Sequence, residues 1–165
     1  MTEPTPSTLS MAELRTWRRV GTAFARLLST LDRQLRDESG LSVDDFGVLS
    51  VLSATPGDAV RMSELADRLS FSPSRISHAV QRMEDQGWVT RDRTPEDRRG
   101  RIARLTPTGD RVLREAWPGH AALVRQLFID PLNASQLEEL DVAFASISQA
   151  TVKHSARDDS TKRKS

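Results

Sequence analysis

One stretch of this chain constrains its fold more than any other, the segment Met62–Gly109. It reads MSELADRLSFSPSRISHAVQRMEDQGWVTRDRTPEDRRGRIARLTPTG. Its first part predicts a short helix, ELADRLS, in which Ser63 can supply the N-cap. A hydroxyl N-cap followed directly by proline, Ser72-Pro73, then predicts a second helix over 73–86. The segment therefore predicts two helices joined by a tight turn.

A β-hairpin is predicted directly after the second helix. The strands are WVTR at 88–91 and RIARL at 101–105, and TPEDRRG between them supplies the polar tip. Six arginines lie here against three acids, although the net charge of the whole chain is only +1. The arginines are Arg91, Arg93, Arg98, Arg99, Arg101 and Arg104, and the acids are Asp92, Glu96 and Asp97. The positive charge is therefore local, which is typical of a surface that meets nucleic acid.

Long helices are predicted on both sides of this segment. Apolar residues at helical spacing indicate a first helix over 9–37, and a capping-box pattern that starts at Ser42 indicates the next one. Thr106-Pro107 opens a further helix, which Pro118-Gly119 should kink or split. The last helix begins at Asn133, and its apolar stripe suits either a partner helix or an ordinary core. The stripe consists of Leu137, Leu140, Phe144 and Ile147.

The predicted element order is α-α-α-α-β-β-α-α, a mainly α fold with a small β-hairpin wing, that is, a winged helix-turn-helix. We expect one domain over 9–154, with the winged helix-turn-helix at 42–105 and long helices at 9–37 and 107–153. The polar ends, 1–8 and 155–165, are predicted to be disordered. The chain has no cysteine and no apolar run near the roughly 20 residues of a membrane span, so we expect a cytoplasmic protein without membrane contact.

The sequence offers no catalytic or metal site. It has no glycine-rich phosphate loop, no nucleophile motif and no clustered acid–base set, which argues against an enzyme. The three histidines, His78, His120 and His154, fall on different predicted elements without the spacing of metal ligands. We therefore expect neither a metal nor a cofactor.

The helix over 73–86 has an apolar face and an opposite polar face. Short donors and acceptors near its N-terminus, with arginines beside them, suit a helix that reads base edges while the arginines hold phosphates. The polar set is Ser74, Ser77, His78, Gln81 and Arg82, with Arg75 on the flank. Any surface helix has a polar face, but the arginine-rich hairpin favours DNA binding over a winged helix that contacts only proteins. Asp97 can orient Arg98 or Arg99 through a charge-assisted hydrogen bond.

Three parts of the chain, MSELADRLSFSPSRISHAVQRMEDQGWVTR, EDRRGR and LTPTG, resemble the MarR (multiple antibiotic resistance regulator) family of transcription factors. The resemblance covers about Leu9 to Thr151. It implies a homodimer whose terminal helices, 9–37 and 107–153, intertwine. It also implies binding to a pseudo-palindromic double-stranded DNA operator, most often as a repressor.

The resemblance also assigns roles to individual residues. It makes Arg99 the arginine that enters the minor groove, with Asp97 as its supporting acid. The other residues predicted to contact DNA are Ser72, Ser74, Arg75, Ser77, His78, Gln81, Arg82, Arg98 and Arg101. Some family members carry an acid where this chain has Gln81, so a wing contact made through that acid should be missing here.

Family members often bind small aromatic acids or other amphiphiles between the dimer helices and the DNA-binding lobe. An aromatic wall beside a guanidinium would bury the ring of such an aromatic or phenolic acid and pair its carboxylate. The candidate effector-binding residues are Arg15, Trp17, Arg18, Phe46, Trp117 and His120. The alternative is that the tryptophans belong to the core and the arginines are solvated. A ligand-independent regulator or an activator of the same fold also stays open.

Overall fold

The computed structural model describes the backbone of residues 8–93 and 101–162, and the side chains of 8–92 and 101–154. The chain begins with α1 (Met11–Ser39), α2 (Val43–Ser53), β1 (Ala59–Arg61), α3 (Met62–Leu69) and α4 (Pro73–Asp85). It continues with β2 (Val89–Arg93), β3 (Arg101–Leu105), α5 (Pro107–Val124), a π-helical segment (Arg125–Ile129) and α6 (Ala134–Lys162). The predicted tip residues Asp97, Arg98 and Arg99 lie outside the described residues, as does most of the predicted N-terminal tail.

A small antiparallel sheet supports the hairpin. Its strand order is β1-β3-β2, and its register pairs Val60 with Ala103 and Val89 with Leu105. The two predicted strands, β2 and β3, pair as expected, and the mainly α fold with a hairpin is confirmed. The predicted element order is wrong in one place, since it omits β1. Three residues are too few to show the alternation of apolar and polar side chains that marks a strand.

The chain divides into two compact units, Met1–Leu123 and Val124–Ser165. Most of the second unit is α6, whose backbone is helical to Lys162. SARDDSTK contains no proline or glycine that would end a helix there. The single domain expected over 9–154 stays a prediction. None of the helices in the described ranges combines the length and the apolar character that a membrane span requires.

The core of the first unit lies where α2, α3 and α4 pack on the sheet. The apolar face predicted for α4 is confirmed, since Ile76, Ala79, Val80 and Met83 are all buried. Leu49, Leu52, Leu65 and Val89 are buried in the same cluster. The C-terminal half of α1 contributes Leu31 and Leu35 to the buried residues. Burial of this apolar set fixes α4 on the unit and leaves its opposite face in solvent.

Capping signals in the sequence locate two helix starts correctly. At α2, Ser42 and Asp45 form a capping box, in which the Ser42 hydroxyl accepts from the Asp45 amide and the Asp45 carboxylate accepts from the Ser42 amide. At α6, the Asn133 side chain accepts from the Gln136 amide at 3.0 Å, and the Gln136 side-chain oxygen accepts from the Asn133 amide at 3.0 Å. Local hydrogen bonds therefore set these boundaries, as the sequence indicates.

The structure differs from the sequence prediction at two other places in the helices. Ser63 is not the N-cap of α3, because β1 leads directly into a helix that begins at Met62, with Arg61 as N-cap and no side-chain cap bond. Of the kink or split predicted at Pro118-Gly119, the split does not occur, because α5 continues to Val124. A Cβ at Gly119 would overlap the Glu38 carboxylate, so the bare glycine lets α5 lie close against α1 at this point.

Candidate nucleic-acid interface

A side-chain cap fixes the N-terminus of α4, and its polar residues face solvent. The Ser72 side chain accepts a hydrogen bond from the Arg75 amide at 3.2 Å, and Pro73 occupies the first turn. The residues of α4 and its N-cap that are predicted to contact DNA are all exposed. They are Ser72, Ser74, Arg75, Ser77, His78, Gln81 and Arg82. The structure therefore brings these residues to one solvent-facing side of the helix, while their contacts with DNA stay a prediction.

Arg75 is held in place from two directions. Its Nε and Nη2 donate to the two carboxylate oxygens of Asp44 at 2.9 and 2.7 Å. Its guanidinium carbon also lies 4.0 Å from the centre of the Phe71 ring. The hydrogen bonds from Asp44 raise the pKa of Arg75 above its usual value, so the cation stays charged. No local pattern in the sequence indicates this partner, which lies 31 positions away.

Arg82 is held by the neighbouring carboxylate of α2. Its Nη2 donates to Asp45 Oδ1 at 2.9 Å. Asp45 is only 6% exposed, and its other oxygen accepts from the Ser42 amide at 3.1 Å and the Ser42 hydroxyl at 2.5 Å. The first turn of α2 therefore anchors both arginines of α4, one through each carboxylate. Bonds of this kind restrain the position of α4 relative to α2.

A second group of polar residues joins α4 to the base of the wing. The Gln81 Oε1 accepts from Arg91 Nη2, and the Gln81 Nε2 donates to Asp85 at 3.0 Å. Arg91, in β2, also pairs with Glu84 and is only 14% exposed. We expected a wing contact made through an acid at this position to be missing, because the chain has Gln81 there. Gln81 nevertheless contacts Arg91 of the wing, since an amide oxygen accepts from a guanidinium as a carboxylate does.

A groove of about 910 Å³ runs between α3, α4 and the sheet. Ser77 and Gln81 of α4 line it, together with Arg91 and Arg101 of the hairpin strands. Arg61 at the end of β1 also lines it and is exposed. Sequence reasoning missed Arg61 because it missed the strand that carries it. The groove joins the polar face of α4 to the arginines at the base of the wing.

The predicted effector-binding residues fall into two groups. Phe46, Trp117 and His120 form a cluster, with the Phe46 ring 5.8 Å from Trp117 in a stacked arrangement and 4.2 Å from the His120 ring. Burial lowers the pKa of His120 below its usual value, which favours the neutral imidazole. The His120 Nδ1 is buried without a hydrogen-bond partner among the described residues.

The other three candidates, Arg15, Trp17 and Arg18, are exposed near the start of α1. Next to the aromatic cluster, Gly119 packs on Gln34 of α1. Gln34 lies sixteen residues beyond Arg18, which is about 24 Å along a helix. Within one chain the length of α1 therefore separates Arg15, Trp17 and Arg18 from the aromatic cluster. The assignment of all six residues to an effector pocket stays a prediction.

The described residues contain no group of three or more histidines and acids placed to hold a metal ion. The polar side chains discussed above hold α4 against α2 and against the base of the wing. An exposed polar helix beside a cationic hairpin is the arrangement of a winged-helix DNA-binding protein.

Comparison with known proteins gives the family. The chain is similar to Sco3205, a MarR family transcriptional regulator from Streptomyces coelicolor solved in complex with DNA, with 38% identity and a TM-score of 0.85 over 88% of this chain and 91% of that one. It is similar to AbsC, a MarR family regulator from the same organism, with 36% identity and a TM-score of 0.84 over 90% of this chain and 99% of that one. A MarR family model matches residues 39–100. The chain belongs to the MarR family.

A curated relative extends the comparison. The transcriptional repressor MprA of Escherichia coli (strain K12) is 26% identical over 118 residues, which are 70% of this chain and 66% of the repressor. The relatives are transcriptional regulators and not enzymes. The predicted family, winged helix-turn-helix fold and regulatory class are therefore confirmed, and the protein is a DNA-binding transcriptional regulator.

Proposed function

We propose that this regulator is a homodimeric repressor that binds a pseudo-palindromic operator and is released by a small aromatic or phenolic acid. The observation that carries the proposal is the apolar surface of the two long helices. Trp17 is 69% exposed on α1, and Ile147 is 54% exposed on α6. Further large apolar side chains are exposed on the same helices: Met11, Val20, Leu28, Val142 and Val152.

Exposure of so many apolar side chains favours association with another chain. Each Å² of apolar surface removed from water contributes about 25 cal/mol, so covering several such side chains stabilises a complex substantially. A second copy of the same chain is the simplest partner, because a two-fold axis lets one surface cover itself. Two copies would present two α4 helices, which suits half-sites about 34 Å apart on a palindrome.

The repressor assignment rests on the relatives. Sco3205 is described in complex with DNA, and MprA is described as a transcriptional repressor. A repressor needs only a stable, specific complex with its operator, which the α4 face and the wing can provide. An activator would additionally need a surface that contacts the transcription machinery.

The aromatic cluster supports the effector proposal. Trp117 stacks on Phe46 yet is 54% exposed, so one face of the cluster is open to an added aromatic ring. The two arginines proposed to pair with a carboxylate, Arg15 and Arg18, are remote from the cluster in the same chain. In this proposal the second copy brings its own α1 arginine to the ligand. An acid bound there would contact both chains and alter the spacing of the two α4 helices.

The oligomeric state in solution tests the proposed homodimer. Light scattering after size exclusion should give about twice the chain mass of 18.4 kDa. Ile147→Asp should give monomers, because it places a charge in the proposed interface, whereas Ser148→Asp, which adds the same charge at the next exposed position of α6, should leave the dimer intact. A wild-type mass of 18.4 kDa would refute the homodimer.

Binding and reporter assays test the pseudo-palindromic operator, repression and release by an aromatic acid. DNA fragments selected from the source genome should contain inverted half-sites, and a reporter under that operator should be silenced by the protein. Mobility shifts with a panel of aromatic acids should show release, and Trp117→Ala should abolish release while leaving operator affinity unchanged. Operator binding that no acid alters would make this a ligand-independent regulator, and a reporter that the protein switches on would make it an activator.

A further inference from the structure

We infer that Asp44 is a specificity-determining residue of the DNA interface, acting through Arg75. The inference rests on the proposed role of α4 as the helix that contacts DNA. Asp44 does not itself have to touch DNA. It fixes the direction of one arginine and thereby prevents that arginine from binding any nearby phosphate.

The geometry supports this role because Asp44 occupies one whole edge of the Arg75 guanidinium. Nε and Nη2 are both engaged by the carboxylate, at 2.9 and 2.7 Å, and the ring of Phe71 covers one face of the group. Three of the five N–H donors stay available, two on Nη1 and one on Nη2, and Asp44 and Phe71 set the directions in which they point. The Arg75 side chain is 54% exposed, so these donors face solvent.

A fixed donor and a free cation contribute differently to DNA binding. A free arginine follows the nearest phosphate and adds the same free energy on every sequence, together with a steeper salt dependence. A fixed guanidinium makes its hydrogen bonds only when an acceptor lies where these donors point, which happens on a correctly docked operator. Asp44 therefore lowers non-specific affinity and maintains specific affinity.

Asp44 is also a residue that can be replaced cleanly. The N-cap of α2 is built from Ser42 and Asp45, and Asp44 takes no part in it. Asp45 holds Arg82 but also belongs to this cap. Replacing Asp45 would therefore disturb the start of α2 as well as the position of Arg82. Asp44→Asn keeps the shape of the side chain and removes the charge that holds Arg75.

The experiment compares the dissociation constants of full-length variants for two duplexes at several salt concentrations. One duplex is selected by the wild-type protein from a random pool, and the other is a scrambled version of it. For Asp44→Asn we expect the ratio of the two constants to fall about tenfold, the value of one charge-assisted hydrogen bond. Scrambled DNA should bind more tightly, and its salt slope should steepen by about 0.9, the value of one added phosphate contact.

Two controls make the test specific. Asp67→Asn removes an equal charge from an exposed position beside the groove, and among the described residues Asp67 holds no arginine, so it should shift both constants together. In the Arg75→Gln background, Asp44→Asn should leave the ratio unchanged. The inference is overturned if Asp44→Asn weakens both duplexes equally, or if its effect persists without Arg75. Failure of the wild type to bind any selected duplex would instead refute DNA reading by α4.

Discussion

Gly109→Ala is expected to destabilise the protein by about 3 kcal/mol, although the substitution normally favours a helix. Gly109 lies in the first turn of α5, where Thr106 joins the helix to the base of the wing. The Thr106 amide and hydroxyl both lie 3.0 Å from the Trp88 carbonyl oxygen, and the Gly109 amide donates to the Thr106 hydroxyl at 3.0 Å. This turn therefore holds α5 against the strand that follows α4.

A methyl group at Gly109 has no room. Its carbon would overlap the Trp88 carbonyl oxygen and would lie 3.0 Å from the Trp88 carbonyl carbon and 2.9 Å from Leu105 Cδ1. Overlap with backbone costs about 3 kcal/mol at the upper end of overpacking effects. Loss of a Thr106 hydrogen bond adds about 1 kcal/mol. The gain in helix propensity offsets about 1 kcal/mol.

Thermal unfolding at one protein concentration measures the effect. A change of about 3 kcal/mol in a chain of this size lowers the Tm by roughly 6–12 °C. Gly47→Ala is the matched control, because its methyl would meet only the Leu69 Cδ2 at 3.4 Å, an ordinary contact. It should leave the Tm unchanged or raise it slightly. A Gly109→Ala protein that melts within about 1 °C of the wild type would contradict the close approach of α5 and Trp88.

Three further predictions concern the interface and its supports. Arg91→Met should weaken operator binding about tenfold in mobility-shift titrations, because the wing base loses its bonds to Gln81 and Glu84; an unchanged salt slope would show that Arg91 does not act on a phosphate. Arg99→Ala should weaken operator binding without changing the Tm, and normal affinity would remove the wing-tip assignment. The Arg36 side chain and the Val43 amide lower the pKa of Asp32, so its stabilising effect is present above the unfolded pKa of about 3.9 and is lost as pH falls through the folded value. The difference in unfolding free energy between wild type and Asp32→Asn should therefore persist at neutral pH and shrink in acid; a difference that does not depend on pH would contradict the ion pair.

The bounds and faces of α4 were predictable because their signals are local. Ser72 and Pro73 mark its first turn, and the period of 3.6 residues separates Ile76 and Met83 from the polar side. Each of these features depends on residues within one helix, so the chain sequence specifies them before any tertiary contact forms. The same holds for the hairpin strands, whose register then follows from their pairing.

The ion pairs that hold α4 against α2 were not predictable in this way. Arg75 and Asp44 are 31 positions apart, and Arg82 and Asp45 are 37 apart. In the sequence, these acids read as ordinary first-turn residues of α2, which favour a helix N-terminus in any fold. Their second role arises only when α2 and α4 pack together. The overlap at Gly109 is likewise invisible until α5 lies against Trp88.

The charges around α4 favour discrimination over general affinity for phosphate. Four arginines of α4 and the sheet are paired with acids of the same chain: Arg75 with Asp44, Arg82 with Asp45, Arg91 with Glu84 and Arg104 with Asp92. A surface built for non-specific attraction would leave such cations free, because each free phosphate contact adds affinity through counterion release. Pairing lowers this non-specific affinity for phosphate and fixes the direction of each guanidinium. The net charge of +1 for a DNA-binding chain is consistent with this arrangement. It follows that removing an acid near α4 should harm recognition by strengthening the wrong complexes, an effect opposite in sign to the loss of a DNA-contacting arginine.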